Sequence, residues 1–269
     1  MIWTIQRAAR AGSVRPVSED APSDAELERY ARHIVLPEIG GMGQMRLRAA
    51  TVAIVGTGGI GSPAIQYLAA AGIGTLRIAD DDEVALSNLQ RQTLFSTQDI
   101  GRGKCEVAAE AVHHLNPHVA TELWPERIEA HNVADFLRGA DVVVDGSDSF
   151  ATRLLVADAA LAAKVPLVSA AVGRFEGQLA TYRGWEDGQP CYRCFVGSDP
   201  DRTEVSCAEQ GVLGALTGVM GSLAAMEAIR TLTGFGEDSV GKLLLIDALS
   251  LRMRTLTLTK DAVCPACSA

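Results

Sequence analysis

Residues 51–62 read TVAIVGTGGIGS, and this stretch decides the fold. An apolar strand, Thr51–Val55, runs directly into Gly56, Gly58 and Gly61, a G-x-G-x-x-G spacing, and a helical pattern then continues to Ala71. The glycines permit a tight turn and close backbone approach. The start of the following helix offers N–H groups and a partial positive charge to phosphate. Gly72 and Gly74 close that helix, and Leu76–Ala79 forms a second strand ending in Asp80, Asp81 and Asp82. An acidic residue at that strand end can hydrogen-bond ribose hydroxyls. The motif leaves the ligand open, because NAD, FAD, S-adenosylmethionine and ATP all use such turns.

Working outward, the N-terminal side carries Ser23-Asp24-Ala25-Glu26, a capping box that predicts a helix to about Val35. Pro37 and the glycines Gly40, Gly41 and Gly43 are expected to end it, and a second short helix, Gln44–Ala49, leads to the strand. Residues 1–22 read as a flexible leader. On the C-terminal side, Lys104–Asn116 and Arg153–Lys164 read as helices and Ala134–Leu137 as a short one. Thr121–Trp124, Asp141–Asp145 and Leu167–Ala171 read as strands. This alternation predicts an α/β, Rossmann-like doubly wound sheet, parallel in its N-terminal half. Past residue 171 the rhythm changes. Strands at Gly177–Tyr182, Lys242–Asp247 and Arg252–Leu258 surround an apolar helix, Gly211–Thr231. That half is expected to be mixed or antiparallel. A helix apolar all round is buried, in the core or in a dimer interface. Residues 23–269 are expected to form a single domain.

The chain has 269 residues, of which 48% are hydrophobic and 21% charged, and a formal net charge of -9. That composition supports a sizeable core. The acidic balance disfavours a nucleic-acid partner, which would select a basic face. The N-terminal residues lack the layout of a signal peptide. The uncharged run Gly211–Met226 falls short of the roughly 20 residues that cross a bilayer. A cytoplasmic protein without a membrane partner is expected.

An acidic chain that binds a triphosphate must gather its cations locally. Asn88, Arg91 and Gln92 lie in SNLQRQ, shortly after the aspartates, and Lys104 follows. Taken singly each cation reads as a solvated surface residue. Their position beyond Asp80 fits a site where a carboxylate approaches ATP, since cations and Mg²⁺ must neutralise that repulsion and the leaving pyrophosphate. Asp145 and Asp148 flank the end of the DVVVD strand, where ligands of open parallel sheets bind. Asp145 reads as a cap or turn residue, Asp148 as a Mg²⁺ ligand.

Four of the six cysteines form two C-x-x-C pairs, Cys191/Cys194 and Cys264/Cys267. Together they supply the Cys₄ set that Zn²⁺ favours, with a redox dithiol as the alternative. Such a zinc is structural, because four thiolates leave no open position. Cys105 reads as packing. The five histidines form no ligand-spaced set.

In order, RYARHIVL, GTGGIGS, the acidic strand end, SNLQRQ, Lys104, DGSDS, RFEGQ, CYRC and CPAC resemble the MoeB/ThiF/HesA branch of the ubiquitin-activating-enzyme family, most closely its MoeB side. The resemblance runs from about Leu27 to Cys267. It implies ATP-dependent adenylation of the Gly-Gly C-terminus of a ubiquitin-like sulfur-carrier protein (MoaD-like), by a homodimer with Mg²⁺ and Zn²⁺. It further implies that Gly58 and Gly59 lie against the nucleotide and that Asp80 holds the ribose. Arg91 and Lys104 would contact the phosphates with Asn88 beside them, and Asp148 would hold Mg²⁺. Gly56, Gly61, Asp82 and Gln92 complete the candidate nucleotide contacts. Arg32 corresponds to an arginine that reaches into the partner subunit's site, so Arg32, Arg91, Lys104 and Asp148 are the candidate catalytic residues.

Two positions depart from the family pattern: Ser149 stands where Asn is usual, and Gly146 where a larger residue is common. Cys207 matches a cysteine that some relatives use in sulfur transfer or thioester chemistry; the alternative is an inert small residue. The chain ends soon after CPAC, so the sulfur donor, a cysteine desulfurase or rhodanese, is expected to be a separate protein. Carrier adenylation of the thiamin type (ThiS-like), a nicotinamide-dependent dehydrogenase and a non-catalytic nucleotide-binding scaffold are the competing readings. The dehydrogenase reading leaves Lys104, SNLQRQ and the cysteine pairs unexplained.

Overall fold

The computed structural model describes residues 21–197 and 211–268. Its centre is one eight-stranded sheet, ordered β3-β2-β1-β4-β5-β6-β7-β8. The strands are β1 (Thr51–Val55), β2 (Thr75–Ala79), β3 (Ala120–Trp124), β4 (Val142–Asp145), β5 (Leu167–Gly173), β6 (Glu176–Tyr182), β7 (Lys242–Asp247) and β8 (Arg252–Thr257). Pairing is parallel from β3 through β5 and antiparallel from β5 through β8. The predicted change of rhythm past residue 171 is therefore the change from parallel to antiparallel pairing.

The helices are α1 (Asp24–Arg29), α2 (Ala31–Ile34), α3 (Gly40–Ala49), α4 (Gly61–Ala71), α5 (Lys104–Leu115), α6 (Val133–Leu137), α7 (Phe150–Ala163), α8 (Tyr192–Val196) and α9 (Gly214–Thr233). All five residues of β1 are buried, as a central parallel strand covered on both faces requires. Alternate side chains feed opposite cores. Val52 and Ile54 join Ile65, Leu68, Ala108 and Met220 under α4, α5 and α9. Ala53 and Val55 join Phe136, Leu154 and Tyr192 under α6, α7 and α8. Among the described residues no helix is long and apolar enough to cross a membrane.

Several expected boundaries move, each for a tertiary reason. The capping box at Ser23 forms, with the Glu26 amide donating to Ser23 Oγ at 3.3 Å. The helix it starts breaks at Tyr30 instead of running to Val35. Tyr30 is buried, its hydroxyl accepts from Asn116 Nδ2 at 2.8 Å, and a β-carbon on Gly72 would stand 2.4 Å from its ring. The glycines at 40, 41 and 43 do not end a helix but begin α3. A β-carbon on Gly43 would come within 2.8 Å of Ile39, so close packing overrides weak helix propensity there. The apolar helix starts at Gly214 rather than Gly211, which has a φ of 75°. One face of it is buried, lying across β4, β5 and β6, while Val219 and Met226 are exposed, so the expected burial all round does not hold within one chain's described residues.

Candidate active site and metal centre

Strand register gathers the candidate residues. Val55 pairs with both Ala79 and Asp145, and Ala79 pairs with Trp124. Four parallel strands thus end level, and the residues that follow them, Gly56, Asp80 and Gly146, share one rim. In open α/β sheets that rim is where ligands bind.

Each glycine of the turn has its own reason. Gly56 has a φ of 84°, the left-handed region. A β-carbon on Gly61 would lie 1.9 Å from the Gly56 carbonyl oxygen, and one on Gly59 would lie 2.9 Å from Thr217 of α9. Gly58 differs, for a β-carbon there would meet only Gln92 Nε2, at 3.8 Å. Gly58 therefore faces open space, as a phosphate cradle requires. Gly146 also has a local cause: a β-carbon would stand 3.0 Å from Ile60, so its smallness lets β4 approach the glycine-rich turn.

Asp80 holds the turn directly. Its Oδ2 accepts from both the amide and the hydroxyl of Thr57, each at 2.7 Å, while Oδ1 accepts from the Asp82 amide at 3.0 Å. Lys104, the first residue of α5, is buried. Its ammonium lies 2.7 Å from Asp82 and 3.9 Å from Asp80. Asp82 is thus the partner of Lys104.

In the intervening segment, Arg91 donates to the Ser87 carbonyl at 2.9 Å and has no carboxylate partner among the described residues. Asn88 Oδ1 accepts from the Ala85 amide at 3.1 Å, so that oxygen is committed to a local turn. Gln92 is buried and its Oε1 has no hydrogen-bond partner.

After β4, Asp145 Oδ1 accepts from the Ser147 amide at 3.0 Å, the turn role expected of it, and its buried Oδ2 is unpaired. Asp148 is exposed, with no hydrogen bond or ion pair among the described residues. A carboxylate without a protein partner is a hard oxygen donor of the kind Mg²⁺ takes, and the oxygens of Asp80, Asp81 and Asp82 lie within 4.8 Å of one another. Ser149 is the N-cap of α7, accepting from the Thr152 amide at 3.4 Å. Arg153 on α7 donates to the Ser147 carbonyl and so steadies this loop. Arg32, on α2, is exposed and makes no side-chain bond to the rim among the described residues. Cys207 lies outside the described residues.

The four paired cysteines converge. Sulfur–sulfur distances are 3.8 Å for Cys191–Cys194, 3.6 Å for Cys191–Cys264 and 3.5 Å for Cys194–Cys267. Zn–S bonds of about 2.3 Å would put tetrahedral sulfurs about 3.8 Å apart, so the set fits zinc. Burial pushes the Cys191 thiol up, and a bound divalent cation would offset this by stabilising the thiolate. Cys105 is buried, its sulfur 3.4 Å and 3.3 Å from the Ile78 and Asp80 carbonyl oxygens, which is the packing role expected.

Sequence reasoning passed over Thr57 and the start of α9. Thr57 occupies a free position of the glycine spacing and carried no signal. The start of α9 reaches the rim only through packing.

Fold and rim together define a Rossmann-like α/β protein with a glycine-rich, phosphate-type turn at the carboxyl ends of its parallel strands. The model of the ThiF family matches residues 30–266, and the chain belongs to that family. It is similar to the sulfur carrier protein adenylyltransferase of Thermus thermophilus, 46% identical over 90% of this chain and 91% of the relative. It also resembles the SAMP-activating enzyme E1 of Haloferax volcanii, 45% identical over 90% of this chain and 89% of that one. With the adenylyltransferase and sulfurtransferase MOCS3 of Bos taurus it shares 46% identity over 99% of its own length but only 58% of the longer relative. Among solved structures, Escherichia coli MccB has the same fold, with a TM-score of 0.78 at 23% identity, over 90% of this chain and 75% of that one.

Proposed function

We propose that this chain, an adenylyltransferase, uses ATP to activate the C-terminal Gly-Gly carboxylate of a ubiquitin-like sulfur-carrier protein. The observation that carries the reading is its match, along 91% of the relative's length, to a protein named as a sulfur carrier protein adenylyltransferase. The open cradle at Gly58 supports it, because ATP needs backbone room above the turn.

In this reading a carrier carboxylate oxygen bonds to the α-phosphorus of ATP. The bond from that phosphorus to the bridging oxygen breaks, and pyrophosphate leaves with the electron pair. No proton needs moving, so the protein's part is to position and to neutralise. Gly56, Gly58, Gly59 and Gly61 receive the nucleotide, and Asp80, which fixes the turn, would also accept from the ribose hydroxyls. Arg91 and Lys104 neutralise phosphate charge, with Lys104 sharing its ammonium between Asp82 and the ligand. Asn88 keeps its amide nitrogen free to donate. Asp148 holds Mg²⁺, which supplies charge neutralisation on the phosphates.

The chain works as a homodimer in which Arg32 enters the partner's site; its exposure and lack of partners among the described residues support this. Cys191, Cys194, Cys264 and Cys267 hold a structural zinc. A separate sulfur donor then displaces AMP, with Cys207 available for transfer. Residues 1–22 act as a leader to one domain, residues 23–269, and the cytoplasm is its compartment.

Radiolabelled ATP–pyrophosphate exchange tests the reading. Exchange should require one Gly-Gly carrier and drop by roughly a hundredfold or more in Asp148→Ala, as loss of charge stabilisation predicts. The unfolding midpoint should hardly move, because Asp148 is exposed. A MoaD-like carrier is the expected partner; dependence on a thiamin-type carrier would reassign the pathway. No exchange with any such carrier, despite ATP binding, would leave the scaffold reading or adenylation of a small substrate.

A further inference from the structure

The knuckle between Cys191 and Cys194 does more than close the cysteine cluster, because its helix, α8, lies against α7. Arg193 donates from Nε and Nη2 to the two carboxylate oxygens of Asp158 on α7, both at 2.7 Å. A bidentate pair fixes orientation as well as distance. Tyr192 is buried with its ring edge-on to Tyr182, the centroids 5.5 Å apart and the planes at 89°. Both rings share one core with Phe150, Leu154 and Ala157 of α7. On its other side the knuckle meets the end of β6, where a β-carbon on Gly184 would stand 2.5 Å from that of Cys191. Whatever fixes the knuckle therefore also fixes the seat of α7.

The start of the same helix holds the nucleotide rim. Asp148 directly precedes Ser149, the N-cap of α7. Arg153, only 7% exposed, reaches back from α7 to donate to the Ser147 carbonyl. Asp145 and Asp148 thus flank a peptide that α7 itself holds in place. A regular helix of 14 residues carries displacement along its length as one body. A shift of α7 at Asp158 is consequently felt at Ser147 and Asp148. A metal that only stapled the chain would add stability and leave the rim alone; here the knuckle and the rim share one helix.

We propose that zinc binding and nucleotide binding are linked in this chain. The Arg193–Asp158 pair couples the cysteine cluster to α7, and Arg153 is the positioning residue that carries the placement of α7 to the loop of Asp145 and Asp148. This rests on the reading of the rim as a site for ATP and Mg²⁺ and adds what sets the geometry of its loop. Linkage is reciprocal: if zinc tightens ATP, ATP tightens zinc by the same factor.

The zinc-loaded, full-length chain without carrier tests this. Competition with a chromogenic zinc chelator, with and without ATP and excess Mg²⁺, reads one direction. Calorimetry of ATP binding before and after zinc removal reads the other. Each affinity should change by roughly fivefold or more, the usual range for coupled sites. If the zinc-free chain unfolds, the competition on the loaded chain still decides. Asp158→Ala is a mild change in a helix. It should keep its zinc, bind ATP about as weakly as the zinc-free chain and show no linkage. Arg153→Met should weaken ATP with zinc fully bound, and Arg153→Lys, which retains a donor, should recover part of the loss. Zinc affinity that ATP leaves unaltered would overturn the proposal. Full linkage in Asp158→Ala would mean that ATP acts by suppressing global unfolding, and would overturn it too. No ATP binding by the unaltered zinc-loaded protein would sink the reading of the rim itself, and the linkage with it.

Discussion

Among single residues, Asp80 sets the shape of the turn. One carboxylate oxygen accepts two bonds from Thr57 and the other accepts the Asp82 amide. Asp80→Asn keeps the volume, but an amide cannot accept at both positions. The change should cost about 1.5–3 kcal/mol, the range for hydrogen bonds to charged groups, and weaken ATP binding. Urea unfolding and ATP titration check both, and an unaltered midpoint would show that the turn holds without the carboxylate. Cys105 gives a pH prediction. Burial, with the Asp80 charge adding to it, pushes its thiol up to about 12 from a usual value of 9.0. Below pH 9 the thiol is neutral in both folded and unfolded chains and pH has no effect through it. Between 9 and 12 the unfolded thiol ionises and the folded one does not. Stability should therefore fall with rising pH by up to about 1.4 kcal/mol per unit. Cys105→Ala should flatten that alkaline slope, and an identical slope would show that other groups cause it.

For the elements, helix starts explain one departure from the family pattern. Ser149 caps α7, and Asn at that position would cap equally well. Ser149→Asn should thus leave both stability and exchange unaltered, whereas Ser149→Ala should cost about 1 kcal/mol. Chemical denaturation distinguishes them, and a large loss on Ser149→Asn would mean that the loop is specific for serine. Capping at Ser23 was legible because caps are local chemistry, whereas the cap of α7 falls on Ser149 and not on the aspartates before it. The break at Tyr30 and the helical glycines of α3 were not legible, because their causes, Gly72 and Ile39, lie in packed neighbours.

Across the whole molecule, the cysteine cluster ties the segment after β6 to the end of the chain beyond β8. Cys264→Ser, or a strong chelator, should release one zinc per chain and lower the melting temperature by several degrees, since metal affinity is folding energy. Elemental analysis beside a thermal scan checks it, and a metal-free protein of unaltered stability would exclude the staple. Subunit mixing tests the dimer. If Arg32 acts across an interface, Arg32→Ala and Asp148→Ala chains, each inactive alone, should complement. A statistical mixture would recover about a quarter of the activity, with one intact site in each heterodimer. No recovery would place both residues in one chain's own site.

By itself the sequence determined the strand, glycine turn and helix at 51–71, the alternation that makes the sheet parallel, and the two cysteine pairs. Those are properties of local periodicity and spacing, which survive without tertiary context. Only the tertiary structure decided that Thr57 anchors Asp80, that Lys104 is held by Asp82, and that α9 begins at the nucleotide rim. These contacts join residues tens of positions apart, through strand register and close packing at Gly59, Gly61 and Gly146. No local pattern encodes such distances. The same register brings Gly56, Asp80 and Gly146 level on one rim, and that alignment turns a motif into a site.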